Sequence, residues 1–145
     1  FQGYTTDTAT TLLGVGASSI GRAERGYFQN VKEIEQYKEQ IKTEGLATAR
    51  GYKMKGQDRF RAAIIHSLMC YLSVNLELVC REFNYSLSSL SAELEALKPF
   101  EDYGIVVRDG YKIRLAIPQR QAVRVVAGIF DQHARDSRAP VSRVV

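Results

Sequence analysis

The side chains that most often carry out catalysis or bind metals are few in this sequence and widely spaced. There are two cysteines, Cys70 and Cys80, and two histidines, His66 and His133. The cysteine spacing fits neither Cys-x2-Cys nor Cys-x3-Cys, so we predict no metal site. We expect His66 to lie at a core boundary and His133 to interact with the carbonyls of a helix end. We expect the thiols to be reduced and to behave as small hydrophobes, which favours a cytoplasmic protein.

Arginines near the end of the sequence are a second candidate for chemistry. Residues 111–145 carry seven basic and two acidic residues, whereas residues 1–50 carry six of each. A guanidinium can bind a carboxylate through two parallel hydrogen bonds. Two interpretations remain open, a carboxylate-binding site and a solvated or docking face, of which the second is the commoner. The arginines concerned are Arg120, Arg124, Arg135, Arg138 and Arg143.

The first thirty residues are rich in glycine and poor in charge. The apolar run Leu12–Val15 predicts a short buried strand of the kind found in parallel sheets. Gly14 and Gly16 would allow a close backbone approach to a ligand or a neighbouring element. As a nucleotide-binding signal the pair is weak, since no Lys-Ser/Thr follows it and no complete βαβ unit is present.

Apolar residues at helical spacing predict five helices in the rest of the chain. Asn30 would cap the first, and Gly45, Asn84 and Pro99 would end the first, third and fourth. A connector with a short strand is expected over residues 46–56. The predicted helices are 31–44, 58–72, 76–83, 86–98 and 119–135.

The sequence around Asp109-Gly110 predicts a β-hairpin. The β-rich residues 105–108 and the alternating residues 111–117 lie on either side of a strong two-residue turn signal. The alternation places Tyr111, Ile113, Leu115 and Ile117 on one apolar face. Three helices, a hairpin and a closing helix occur in that order in winged-helix domains. The predicted fold class is therefore mainly α with a small β-hairpin (α+β), in a winged-helix-like arrangement.

A winged helix raises the alternatives of a DNA-binding protein and of a protein-interaction module. The predicted helix 86–98 would be the third helix of the winged-helix arrangement, the one that enters the major groove of DNA. It carries Glu93, Glu95 and a single Lys98. Phosphates would repel such a surface, so we predict no nucleic-acid partner. No apolar run reaches the roughly 18 residues of a membrane span, and no signal-peptide pattern is present.

Several runs resemble the oxygen-independent coproporphyrinogen III oxidase family, which are radical S-adenosylmethionine enzymes of anaerobic haem synthesis. The most specific are Phe-Gln-Gly-Tyr-Thr-Thr at residues 1–6, the segment at residues 12–20 and Tyr-Phe-Gln-Asn at residues 27–30. The likeness continues through residues 61–70 to the closing residues 142–145. It covers nearly the whole chain, which would be about the last third of such an enzyme.

The resemblance implies a defined chemistry for the longer enzyme. In this family a barrel carries a Cys-x3-Cys-x2-Cys motif that binds a [4Fe–4S] cluster, and the cluster cleaves S-adenosylmethionine to a 5′-deoxyadenosyl radical. The radical removes hydrogen from a propionate of coproporphyrinogen III, carbon dioxide leaves, and two rounds give protoporphyrinogen IX. Since this chain lacks the cysteine motif, we expect it to be one part of a longer polypeptide and to be inactive alone.

The resemblance also implies site residues and domains. Phe1, Gln2 and Ile20 correspond to residues that the family places around a second S-adenosylmethionine, with Gly14 and Gly16 permitting close backbone approach.

The implied domains are residues 1–30, as the end of the catalytic barrel, residues 31–56, as a helix and connector, and residues 57–145, as the winged-helix-like domain. The N-terminal barrel of the same polypeptide would then be its partner. Arg120 and Arg124 would attract the substrate carboxylates.

Overall fold

The computed structural model of this chain describes residues 3–133. The chain divides into two compact units, Phe1–Arg59 and Phe60–Val145. Each contains a three-stranded antiparallel sheet. The fold is therefore mixed α and β, with more strand than the sequence predicts. Over residues 3–133, no helix is both long and apolar enough to cross a membrane.

The first unit is a sheet with one helix inserted between its second and third strands. The sheet order follows the chain. Gly45 ends the helix as predicted: it adopts a left-handed φ of 74°, and its N–H donates to the carbonyl of Ile41 at 3.1 Å. The elements are β1 (Ile20–Ala23), β2 (Gly26–Asn30), α1 (Ile34–Glu44) and β3 (Thr48–Lys53).

The predicted buried strand at Leu12–Val15 is wrong. Leu13 and Val15 are 71% and 90% exposed, and the one contact of this run with the sheet is an isolated bridge between Leu12 and Arg22. The chain turns through positive φ values at Gly16 (108°) and Ser18 (62°). Because these turns interrupt an extended backbone, continuous pairing begins only at Ile20, and it is antiparallel.

The predicted cap at Asn30 is also wrong. Asn30 is the last residue of β2, and its side-chain amide donates to the carbonyls of Gly14 and Gly16. Helix α1 consequently begins at Ile34, and its N-cap Glu33 makes no side-chain capping hydrogen bond. In the predicted connector, the short strand is the six-residue β3.

The second unit begins within a long helix and contains the second sheet. Helices α2 and α3 lie where the apolar stripes predict them, and Asn84 ends α3 with a left-handed φ of 58°. The strand order is β4-β6-β5. The elements are α2 (Asp58–Tyr71), β4 (Ser73–Asn75), α3 (Leu76–Phe83), α4 (Ser91–Asp102), β5 (Val106–Asp109), β6 (Lys112–Leu115) and α5 (Val123–Gly128).

A single apolar core holds these elements together. Its largest fully buried side chains come from α2, α3, α4, β6 and the chain after α5. Burial of each such side chain contributes about 1.5–3 kcal/mol. They include Phe60, Ile64, Leu68, Leu76, Leu97, Ile113, Leu115 and Phe130.

Pro99 does not end its helix, contrary to the sequence prediction. A 3-10 segment over Leu87–Leu90 precedes α4, which continues past the proline to Asp102. Phe100 packs against the core in this last turn, and Gly104 then reverses the chain with a φ of 67°. Packing of Phe100 offsets the hydrogen bond that the proline cannot donate.

The hairpin is confirmed, but its turn is shifted by one residue. Asp109 pairs with Lys112, so Gly110 and Tyr111 are the two central turn residues. Gly110 has a φ of 57°, as a type II′ turn requires at its first central position. On the predicted apolar face of β6, Ile113 and Leu115 are buried. Tyr111 and Ile117, also predicted for that face, are 43% and 77% exposed.

The single closing helix predicted at residues 119–135 is wrong. A 3-10 segment, Ile117–Ala122, contains a kink at Gln119 and is followed by the short α5. Ile129 and Phe130 then make i→i−3 hydrogen bonds, which tighten the chain and place Phe130 in the core at 0% exposure. Residues 134 and 135 of this predicted helix lie outside the described residues.

Candidate functional site

An open hollow of about 320 Å³ lies on the sheet of the first unit. It combines apolar and aromatic surface with one amide and one guanidinium. A ligand pocket of this kind is mainly apolar, with a few polar groups that fix orientation. The lining residues are Ile20, Tyr27, Phe28, Gln29, Arg50, Gly51 and Tyr52.

Strand register brings five of the seven lining residues, all except Phe28 and Gly51, to one face of the sheet. Ile20 is paired with Gln29, and Gln29 is paired with Arg50. One step along the same face, Tyr27 is paired with Tyr52. Directly paired residues share a face, and so do residues two apart on one strand. The face therefore presents an isoleucine, an amide and a guanidinium in one row, and Arg22, Tyr27 and Tyr52 in the next.

The polar row is connected by hydrogen bonds. Arg50 Nε donates to Gln29 Oε1 at 2.8 Å, and Gln29 Nε2 donates to the carbonyl of Ser18 at 2.9 Å. Arg50 is exposed. No carboxylate among the described residues lies within ion-pair distance of it. The guanidinium is therefore oriented by the sheet and retains its charge for a ligand.

Tyr52 is tied to the start of α2. Its hydroxyl donates to Asp58 Oδ2 at 2.7 Å, and the same oxygen accepts from the backbone N–H of Lys55 at 2.8 Å. This hydrogen bond is the main cause that raises the pKa of Tyr52 above 10.0, with smaller contributions from desolvation and from the carboxylate charge. Tyr52 is therefore a protonated donor at neutral pH.

Asn30 anchors the loop before β1. Its Nδ2 lies 3.2 Å from the carbonyl of Gly14, 3.1 Å from that of Gly16 and 3.1 Å from Ser19 Oγ. The N–H of Gly16 donates to the hydroxyl of Tyr37 at 3.1 Å. These contacts fix the loop that leads directly into Ile20.

The two glycines of that loop have different structural roles. A Cβ on Gly14 would lie 2.9 Å from both Cβ and Oγ of Ser19, so the close approach at Gly14 is to its own loop. Gly16 has open space around it, but its φ of 108° is one that other residues rarely adopt. Their predicted contribution to ligand binding remains a prediction.

The other predicted site residues are distributed over the chain. Ile20 lines the hollow. Phe1 and Gln2 lie outside the described residues, as do Arg135, Arg138 and Arg143. In the second unit, Arg120 lies in the 3-10 segment and Arg124 in α5, and both are exposed. Their role toward a substrate remains a prediction.

Sequence reasoning did not identify most of the hollow. Gln29, Arg50, Tyr27 and Tyr52 emerge only from the strand register. The available signal was the spacing of two that separates Tyr27 from Gln29 and Arg50 from Tyr52, which is typical of side chains on one face of a strand.

The histidines and cysteines form no site with these residues. Cys70 Sγ lies 3.6 Å from His66 Nε2 on α2. Cys80 is 3% exposed, and its burial raises the pKa of the thiol, so it behaves as a small hydrophobe. Among residues 3–133, no group of three or more His, Cys, Asp or Glu could hold a metal ion.

Comparisons with known proteins give one consistent result. No protein-family model matches the chain. It is 40% identical, over all 145 of its residues, to the oxygen-independent coproporphyrinogen III oxidase of Bradyrhizobium diazoefficiens, and covers 32% of that protein. It is 33% identical over 136 residues to the enzyme of that name from Escherichia coli, covering 30% of it.

A solved structure is similar along most of the chain. It is the coproporphyrinogen III oxidase of Escherichia coli, described as a radical SAM enzyme. The TM-score is 0.82 at 31% identity, covering 91% of this chain and 31% of that one. The chain thus spans about a third of the length of the relatives it matches.

Proposed function

Because the chain is homologous along its length to the oxygen-independent coproporphyrinogen III oxidases, we propose that it is the C-terminal region of such an enzyme. The whole polypeptide would convert coproporphyrinogen III to protoporphyrinogen IX. The observation that carries the proposal is 40% identity over all 145 residues. The TM-score of 0.82 at 31% identity supports it independently.

In this reaction each of two propionates becomes a vinyl group. The side chain loses a hydrogen atom from the carbon attached to the ring, its carboxylate leaves as carbon dioxide, and one further electron passes to a one-electron acceptor. A [4Fe–4S] cluster with S-adenosylmethionine would supply the radical that takes the hydrogen atom.

This chain does not fit the cluster. Its two cysteines, Cys70 and Cys80, lie on different helices, and residues 3–133 hold no metal-binding group. The cluster ligands must therefore come from other residues of the longer polypeptide. We accordingly propose that the 145-residue chain is inactive by itself.

The hollow does fit a ligand with a flat apolar part and polar ends. Ile20, Tyr27 and Tyr52 supply apolar surface, and Gln29 and Arg50 supply an amide and a cation. Ile20 lies on β1 and Arg50 on β3, at opposite edges of the sheet. We propose that Ile20, together with Phe1 and Gln2, lies around a second S-adenosylmethionine in the complete enzyme, and that the part of the hollow beside Arg50 is left for another ligand. The chain would form one wall of the site and exclude water, which protects a radical from quenching.

The second unit would act in packing rather than in DNA recognition. Its order of helix, strand, two helices and two strands supports a winged-helix-like domain. On α4, Glu93 is buried against Arg61, and Lys98 is paired with Glu95 at 2.6 Å. A DNA-facing helix needs uncompensated cations, and α4 presents none among its described residues. We propose that this unit docks on the barrel of the same polypeptide, in the cytoplasm, where its two cysteines would remain reduced and form no disulfide.

The test compares the longer polypeptide with the 145-residue chain. Each is reconstituted anaerobically with iron, sulfide and a reductant, and is then supplied with S-adenosylmethionine, coproporphyrinogen III and a one-electron acceptor. Protoporphyrin fluorescence after oxidation measures the product. The longer polypeptide should form product, and the chain alone should not. Ile20→Asp in the longer polypeptide should slow the reaction, whereas Leu78→Asp, at a position 57% exposed on α3, should not. A cluster-loaded longer polypeptide that leaves coproporphyrinogen III unchanged would overturn the proposal, as would turnover by the chain alone.

A further inference from the structure

We infer that the hollow binds a propionate carboxylate of the porphyrinogen substrate and that Arg50 is the residue that binds it. The inference rests on the proposed function, which supplies the substrate class. Sequence analysis predicts that Arg120 and Arg124 of the second unit attract the substrate carboxylates. The inference adds Arg50, on the sheet of the first unit, as a further carboxylate-binding residue.

The hydrogen bond from Arg50 decides which part of its guanidinium faces a ligand. Nε is occupied by Gln29 Oε1 at 2.8 Å. The two Nη nitrogens at the outer edge donate no hydrogen bond to the described residues. This edge can therefore donate two parallel hydrogen bonds to one carboxylate.

The guanidinium is also held in place before a ligand arrives. Gln29 is itself fixed by its bond to the carbonyl of Ser18 at 2.9 Å, and its backbone is paired with Arg50 in the β2–β3 ladder. An arginine oriented in this way loses less conformational entropy on binding than one on a solvated helix face.

The surroundings of Arg50 suit an apolar ring that carries carboxylates. Ile20, Tyr27 and Tyr52 line the same hollow. The Tyr52 hydroxyl is bonded to Asp58, and that carboxylate also accepts from the N–H of Lys55. What Tyr52 offers a ligand is therefore ring surface, on which a pyrrole ring can pack while its propionate meets Arg50.

The experiment uses the longer polypeptide with its cluster, and compares Arg50→Gln and Arg50→Lys with Arg25→Gln as the control. Arg25 lies in the β1–β2 turn of the same sheet, is exposed and does not line the hollow. KM and kcat are measured separately for coproporphyrinogen III and for S-adenosylmethionine. Binding of coproporphyrin III, the stable oxidised tetracarboxylate, is measured by fluorescence quenching.

Arg50→Gln should raise the KM for coproporphyrinogen III and weaken coproporphyrin III binding by about 10- to 100-fold, the usual loss for hydrogen bonds to a charged group. Arg50→Lys should weaken coproporphyrin III binding less than Arg50→Gln does, because lysine keeps the positive charge although it lacks the two parallel donors. Arg25→Gln should have no effect, and the KM for S-adenosylmethionine should not change.

Two results would overturn the inference while leaving the proposed function in place. One is unchanged KM and coproporphyrin III binding in an Arg50→Gln enzyme with a native circular dichroism spectrum. The other is a rise confined to the KM for S-adenosylmethionine, which would give Arg50 to the carboxylate of that molecule. Failure of the unsubstituted enzyme to form product would instead overturn the proposed function, and the binding titration would still test Arg50.

Discussion

Arg61 on α2 and Glu93 on α4 form a buried ion pair: Nη1 of the arginine lies 2.9 Å from Oε1 of the glutamate, and the side chains are 7% and 4% exposed. The same nitrogen donates to the carbonyl of Phe130 at 3.2 Å. One guanidinium therefore joins two helices and the chain after α5. The pair also removes Glu93 from the surface charge of α4, so the repulsion expected from the sequence against DNA is smaller by one carboxylate.

Removing one partner of this pair should destabilise the protein strongly. Arg61→Leu leaves Glu93 charged, buried and without its arginine, which costs about 3–5 kcal/mol of unfolding free energy. Urea unfolding followed by circular dichroism measures the loss. Glu77→Gln, which removes an exposed pair with Arg81, is the matched control and should cost at most about 1 kcal/mol.

The double variant Arg61→Leu/Glu93→Leu separates charge burial from packing. It should recover much of the stability that Arg61→Leu loses, because no uncompensated charge stays in the core. A double variant no more stable than the single one would show that the pair acts through shape and through the Phe130 carbonyl instead.

Asn30→Ala should loosen the loop before β1 without unfolding the second unit. The substitution deletes the amide that contacts Gly14, Gly16 and Ser19. Because these contacts are part-buried, the expected loss is about 0.5–1.5 kcal/mol, as for an ordinary hydrogen bond. Hydrogen exchange should quicken at the amides of residues 16–19. Asn75→Ala, which removes the N-cap of α3, should destabilise the protein but leave exchange in this loop unchanged. Equal protection of the loop in both variants would refute the anchoring role.

Gly26→Ala should disturb the β2–β3 pairing that builds the hollow. A Cβ at this position would overlap the backbone carbonyl of Tyr52, so strand β3 must shift. Overpacking of this kind costs about 1–3 kcal/mol. Gly128→Ala is the matched control: it has open space around it within α5 and should be neutral or stabilising. Thermal unfolding of both variants decides, and equal melting temperatures would contradict the steric argument.

Asp58→Asn should lower the pKa of Tyr52 toward its ordinary value of 10.0, because the hydrogen bond to the carboxylate is the main cause of the raised value. A group with a raised folded pKa contributes stability that is complete below its unfolded pKa and is lost as the pH rises through the folded one. The stabilising effect of the Tyr52–Asp58 bond should therefore be constant at neutral pH and disappear only above about pH 10.

An ultraviolet difference titration of tyrosinate measures this change. Tyr52→Phe should remove the late-titrating tyrosine from the unsubstituted protein, and Asp131→Asn in the second unit should leave the titration unaltered. A late-titrating tyrosine that persists in Asp58→Asn would assign the shift to another residue.

Local sequence determined those helices whose apolar periodicity and end residues all lie within or next to the helix itself. The apolar stripe of α2 and the residues around α3 predict those helices within a residue, and Gly45 and Asn84 end helices as expected. Two helix predictions were wrong, the end of α4 at Pro99 and the single closing helix from Gln119. In α4 the helix continues so that Phe100 packs against the core, and the closing segment tightens so that Phe130 enters it. Distant packing there outweighs the local preference of the backbone, which a sequence window cannot register.

For the hollow, the sequence determined Ile20, through a run of residues that resembles a known family. Only the tertiary structure placed Gln29 and Arg50 beside it. Residues 20, 29 and 50 share one row because β1, β2 and β3 pair in one antiparallel register, and a shift of a single residue would turn Arg50 to the opposite face. Side-chain chemistry is written in the sequence, but the pairing of distant strands decides which side chains meet.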